Sequence, residues 1–102
     1  MTAIDGFQLD TAAPGRLGVS GVLSFDTAAA ALQAIEAALA AAAGTVVELD
    51  LAGLDHSDSA GLACVLAVVA EADRRGQVLQ VLHMPEGMKA LAQVCEVDRL
   101  MS

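Results

Sequence analysis

With 102 residues, 56% of them hydrophobic, the chain suits one domain, residues 1–102, around its own core. The formal net charge of −8, with only five basic residues, excludes binding along a phosphate backbone and disfavours an anionic membrane surface. A basic protein surface is the natural complement. Trp and Tyr are absent and Phe7 and Phe25 are the sole aromatics, so the core must rest on Leu, Val and Ile.

Met1–Gly6 lacks the basic and apolar segments of a secretory leader, and no run approaches the ~18 apolar residues of a spanning helix. A cytoplasmic protein is expected. Phe7-Gln8-Leu9 reads as a first strand, followed by a turn at Ala13-Pro14-Gly15-Arg16. Leu17–Leu23 alternates with period two, placing Leu17, Val19 and Leu23 on one face of a second strand. Two strands joined by a Pro-Gly turn predict an antiparallel hairpin.

Asp26 is the expected N-cap of a first helix and Gly44 its C′ residue. Ala28, Leu32, Ile35, Leu39 and Ala42 trace its inward stripe. Val46–Leu51 has the near-continuous apolar character of a central strand. A second helix is expected from Ser59 to Arg75, stopped by Gly76, and Val78–Leu82 is a fourth strand. Pro85 then opens a third helix with Met88, Leu91 and Cys95 inward. The fold class is α/β: a four-stranded mixed sheet with about three helices, in the order β-β-α-β-α-β-α. Cys64 and Cys95 lie within helices without metal-ligand spacing, as free small hydrophobes.

Asp55-His56-Ser57-Asp58-Ser59-Ala60-Gly61-Leu62 forms a polar corner between the third strand and the second helix. Asp58 or Ser59 there has the chemistry of a helix cap, and Ser59 is taken as the cap at the edge of an interface. A hydrolytic set of Asp55, His56 and Ser59 is disfavoured, because such groups come from separate elements that face one another. Asp55, His56 and Asp58 match no familiar metal spacing, and no glycine-rich phosphate loop occurs. No cofactor is expected.

The second helix carries the more unusual signal. At 100° per residue Leu62, Val65, Leu66 and Val69 point inward, which turns Ala60, Cys64, Ala67 and Val68 outward. Leu62 to Ala70 carries no charge, so this outward face is expected to dock a protein partner. It also admits a homodimer.

Taken together, the element order and the Asp58-Ser59-Ala60-Gly61-Leu62 block, with Gly21 in strand two and the Arg74-Arg75-Gly76 helix end, resemble the STAS domain. That family includes anti-sigma factor antagonists and the small MlaB-type subunit of the Mla phospholipid-transport ABC system. Antagonists of the family read D-S-[ST]-G-L and are phosphorylated on the hydroxyl before the glycine; here that position is Ala60. Their acidic residue in a G-E-L-D block is absent from Gly21-Val22-Leu23-Ser24. The MlaB-type pattern, one hydroxyl after the aspartate and a small residue before the glycine, fits Ser59-Ala60. The resemblance implies a non-catalytic cytoplasmic subunit that binds a MlaF-like ATPase, peripheral to the inner membrane through that complex. Its contact residues would be Asp58, Ser59, Ala60, Gly61, Cys64, Ala67 and Val68. One alternative is an anti-sigma factor antagonist that binds an anti-sigma kinase, with Ser59 or Ser57 as phosphoacceptor. Another is a small esterase using Ser59 and His56.

Overall fold

In the computed structural model, which describes residues 2–4, 6–42 and 44–94, the chain runs β1 (Thr2–Ile4), β2 (Phe7–Asp10), β3 (Arg16–Leu23), α1 (Ala28–Ala41), β4 (Val46–Ser57), α2 (Ser59–Arg74), β5 (Val78–Leu82) and α3 (Glu86–Val94). The strands lie side by side in chain order, β1-β2-β3-β4-β5. The first two pairings are antiparallel hairpins; β3–β4 and β4–β5 are parallel and are joined by α1 and α2 as crossover helices. The turn between β2 and β3 is closed by Arg16 N–H donating to the Ala13 carbonyl at 3.2 Å. The expected mixed sheet and three helices are therefore present, in the expected order.

Alternation along the strands sends Phe7, Leu9, Leu17, Val19, Leu23, Val47, Leu49 and Leu51 to one face, where they are buried. Ala31, Ile35 and Leu39 of α1, Leu62, Val65 and Val68 of α2 and Met88 and Ala92 of α3 complete a single core on that face. At ~25 cal/mol per Å² of apolar surface removed from water, these aliphatic side chains supply most of the driving force. Among the described residues no helix is long and apolar enough to cross a membrane.

Several boundaries differ from expectation. β1 is an additional fifth strand, paired Ile4↔Phe7 across a two-residue connection. Its signal is the Asp5-Gly6 dipeptide, one of the favoured tight-hairpin sequences, and Gly6 adopts the positive φ (+82°) such turns require. β4 extends to Ser57 rather than stopping at Leu51, because β3 offers a pairing edge as far as Leu23. The Asp55-His56-Ser57 corner is thus strand, not loop. In α1 the cap position is Thr27, not Asp26, and the helix ends at Ala41 with Ala42 extended, so Gly44 is not a C′ residue. The buried stripe of α1 is Ala31, Ile35 and Leu39, with Ala28, Leu32 and Ala42 half-buried beside it. α2 closes as a Schellman motif: Gln77 N–H donates to Ala72 and Gly76 N–H to Asp73, with Gly76 at φ +72°. Pro85 immediately precedes α3, accepting from Lys89 N–H at 2.9 Å. Met88 is buried and Leu91 half-buried as expected, and Cys95 lies outside the described residues.

Candidate functional site

Asp58 is the single residue between β4 and α2, and its extended backbone (φ −129°, ψ −167°) points its carboxylate back over the helix start. One oxygen, Oδ1, accepts from Ala60 N–H at 2.9 Å and Gly61 N–H at 3.1 Å. The other, Oδ2, accepts from Phe25 N–H at 3.2 Å in the β3–α1 connection. The Phe25 N–H above all, helped by those of Gly61 and Ala60 and by nearby His56, holds the Asp58 carboxyl below the usual carboxylate range. Asp58, not Ser59, is therefore the cap. Its two oxygens let the carboxylate accept from the α2 start and from the β3–α1 connection at the same time. Ser59 is the first helical residue and stands exposed beside the cap.

Gly61 explains why a glycine follows. A Cβ there would collide with the carbonyl oxygen of Leu23, the last residue of β3, and would lie 3.3 Å from Ser57 Cβ. Without a side chain at this position the first turn of α2 rests directly on the ends of β3 and β4. The connection opposite is pinned too. Thr27 is buried, its hydroxyl donates to the Val22 carbonyl at 2.9 Å, and it accepts from Ser24 N–H at 3.0 Å. Phe25 projects from this pinned connection and is 83% exposed.

The outward face of α2 is rotated from the one expected. Cys64 and Val68 are buried, 4% and 0% exposed, so their side chains are not available to a partner. Cys64 Sγ donates to the Ala28 carbonyl of α1 at 3.8 Å, and burial, with the charge of Glu36 adding, pushes its thiol up to about 11. A helix covered by neighbours on two sides must bury more than one stripe: α1 takes up Cys64, and Leu66 and Val69 become partly exposed instead. Gly61 is buried as well, and Ala60 and Ala67 are half-buried. The residues that α2 presents outward are Ser59, Ala63 and Ala70, followed in its last turn by Asp73 and Arg74. Ala63 belongs to this surface although the sequence reading did not name it. The surface remains uncharged from Ser59 to Ala70.

Asp55 and His56 both lie exposed on β4, and among the described residues no three His, Cys, Asp or Glu side chains gather as a metal set would. A cavity of about 200 Å³ opens between Leu54–Ser57 and Pro85 and Gly87, beside the α2 start. A larger groove, about 550 Å³, lies apart from it, between α1 and the β2–β3 turn. His83, just after β5, is exposed, and its Nδ1 lies 2.9 Å from Asp50 Oδ1. Arg16 binds the other Asp50 oxygen. The Ala52 N–H first, then His83 and Arg16, lower the Asp50 carboxyl to about 2. Adjacent strands bring these residues together, and no local spacing reveals it.

The family model described as "Mlab, STAS domain" matches residues 8–102. The anti-sigma factor antagonist SpoIIAA in its unphosphorylated form superposes with a TM-score of 0.70 at 19% identity, covering 94% of this chain and 85% of that one. The Bacillus cell fate determinant SpoIIAA in its phosphorylated form gives 0.68 at 20% identity, covering 94% and 88%. A structure described as Mglu gives 0.53 at 22% identity, covering 78% of this chain but 19% of that one. At these identities the structural likeness is one of fold. No curated protein matches the chain.

Proposed function

Because the chain belongs to the MlaB-type STAS domain family, we propose that it is the non-catalytic subunit of a Mla-type phospholipid-trafficking ABC transporter, docking on the ATPase subunit and supporting its assembly and activity. The observation that carries this reading is the α2 start: an exposed Ser59, an alanine at position 60, and an uncharged outward face running on through Ala63 and Ala70. Such a surface loses little hydration when it is covered by another protein. The acidic body favours a partner whose contacting surface is basic. On this reading the subunit is cytoplasmic and meets the inner membrane only through its partner. Ser59, Ala60, Ala63 and Ala67 make the contacts, while Asp58 and Gly61 hold them in place.

A second reading, an antagonist that binds an anti-sigma kinase, has one observation in its favour. Ser59 is an exposed hydroxyl in the first turn of α2. Against it stands Ala60, which has no hydroxyl to phosphorylate. Incubating the protein with an anti-sigma kinase and ATP, then with the ATPase subunit, separates the two. The transport reading expects unmodified Ser59 and Ser57 by mass spectrometry and a stable complex with the ATPase. Stoichiometric phosphate on Ser59 without an ATPase complex overturns it.

A further inference from the structure

One exposed phenylalanine is ordinary on a protein surface, but the setting of Phe25 is not. It is 83% exposed in a chain whose other aromatic, Phe7, is 1% exposed. Its backbone is fixed from two directions, by Asp58 Oδ2 on its own N–H and by the Thr27 hydroxyl on the Ser24 N–H before it. Thr27 and Ala28 N–H both donate back to the Ser24 carbonyl, at 3.0 and 2.8 Å, and tighten the same turn. A large apolar side chain is thus held out on a stiff backbone, so little conformational entropy remains to be lost when a partner covers it. The same Asp58 carboxylate caps α2, which ties the position of Phe25 to that of Ser59.

Acidic side chains outnumber basic ones around it among the described residues, although His56 lies near Asp58 and Lys89 is exposed early in α3. Asp26 follows Phe25 and is exposed, and Asp55 and Asp58 lie at the same end of the sheet. Arg16 begins β3 and pairs with Asp50, whereas it is the far end of β3, Leu23, that abuts Gly61. Arg74 and Arg75 are at the opposite end of α2, where both pair with Glu71. With 16 residues at ~1.5 Å each, α2 holds them ~24 Å from Ser59, beyond the ~8 Å screening length of physiological salt.

We infer that Phe25 is the apolar anchor of the docking surface, entering a socket rimmed by Lys or Arg on a protein partner. This rests on the ATPase-docking reading above and adds the β3–α1 connection to the interface. Buried aromatic anchors carry a disproportionate share of interface energy, and an acidic rim speeds association with a basic one. The test is calorimetric titration of the ATPase subunit of the same organism's Mla-type transporter with wild type, Phe25→Ala, Phe25→Leu and Asp26→Lys, each first shown folded by circular dichroism. Phe25→Ala is expected to weaken the complex about 10- to 100-fold, and Phe25→Leu distinctly less, because it keeps an apolar group for the socket. Asp26→Lys is expected to weaken binding about 3-fold and to flatten its salt dependence. Wild-type affinity in Phe25→Ala overturns the anchor, and tighter binding by Asp26→Lys overturns the basic rim; both leave ATPase docking intact. Failure of the wild type to bind overturns docking and anchor together.

Discussion

A methyl group added at position 61 would meet the Leu23 carbonyl, a backbone atom that cannot swing aside. Gly61→Ala should therefore destabilise the fold by about 2 kcal/mol, as overpacking typically does. At Gly87, near the start of α3, an added Cβ meets nothing within 4 Å. Gly87→Ala should be neutral or stabilising by a few tenths of a kcal/mol, since alanine is the better helix former. Chemical denaturation of the two variants checks this contrast. Asp58 makes a different case. Removing it takes away a helix cap and the link to Phe25 together, so Asp58→Ala should lower the melting temperature by about 5 °C, while Ser59→Ala leaves it unchanged. Equal melting temperatures for the two would assign no role to the cap. From the sequence, Asp and Ser were both competent caps. Choosing between them needed Phe25, 33 residues away in the chain, whose N–H claims the second carboxylate oxygen.

Among the elements, the strongly patterned ones were legible. The alternation of Leu17, Val19 and Leu23 and the apolar run beginning at Val46 became β3 and β4, and Gly76 ended α2 as its sequence indicates. What was missed depended on neighbours. The last residues of β4 have no strand character of their own and are extended because β3 pairs with them. β1 was missed although Asp5-Gly6 advertised a hairpin. The outward face of α2 was misjudged because a wheel drawn for one buried stripe cannot know that a second helix covers another. Cys64 went to that contact and Val68 to the core, while Ala63 lies outside. Replacing Ala63 with Glu should accordingly change stability by no more than ~0.5 kcal/mol, whereas Val68→Glu should leave the chain largely unfolded. Thermal melts of both distinguish the surface from the core.

For the molecule as a whole, acidity has two consequences. Asp50, at about 2, has a folded-state value below its unfolded one near 3.8, so its contribution to stability is full above pH ~4 and is lost as pH falls toward 2. Asp58 and Glu71, lowered by their own partners, act in the same direction. Stability should therefore decline on acidification from pH 4 to 2. Asp50→Asn should be less stable at neutral pH and show a shallower decline over that interval, measurable by urea unfolding at several pH values. The second consequence is for association: a body with a net charge of −8 and one uncharged helix face is suited to a basic partner and to docking through that face. The most direct test is the affinity of the Mla-type ATPase subunit for wild type and for Ala63→Glu, each confirmed folded. A tight wild-type complex, weakened at least tenfold by the buried glutamate, is expected; equal affinities would rule out docking through this face.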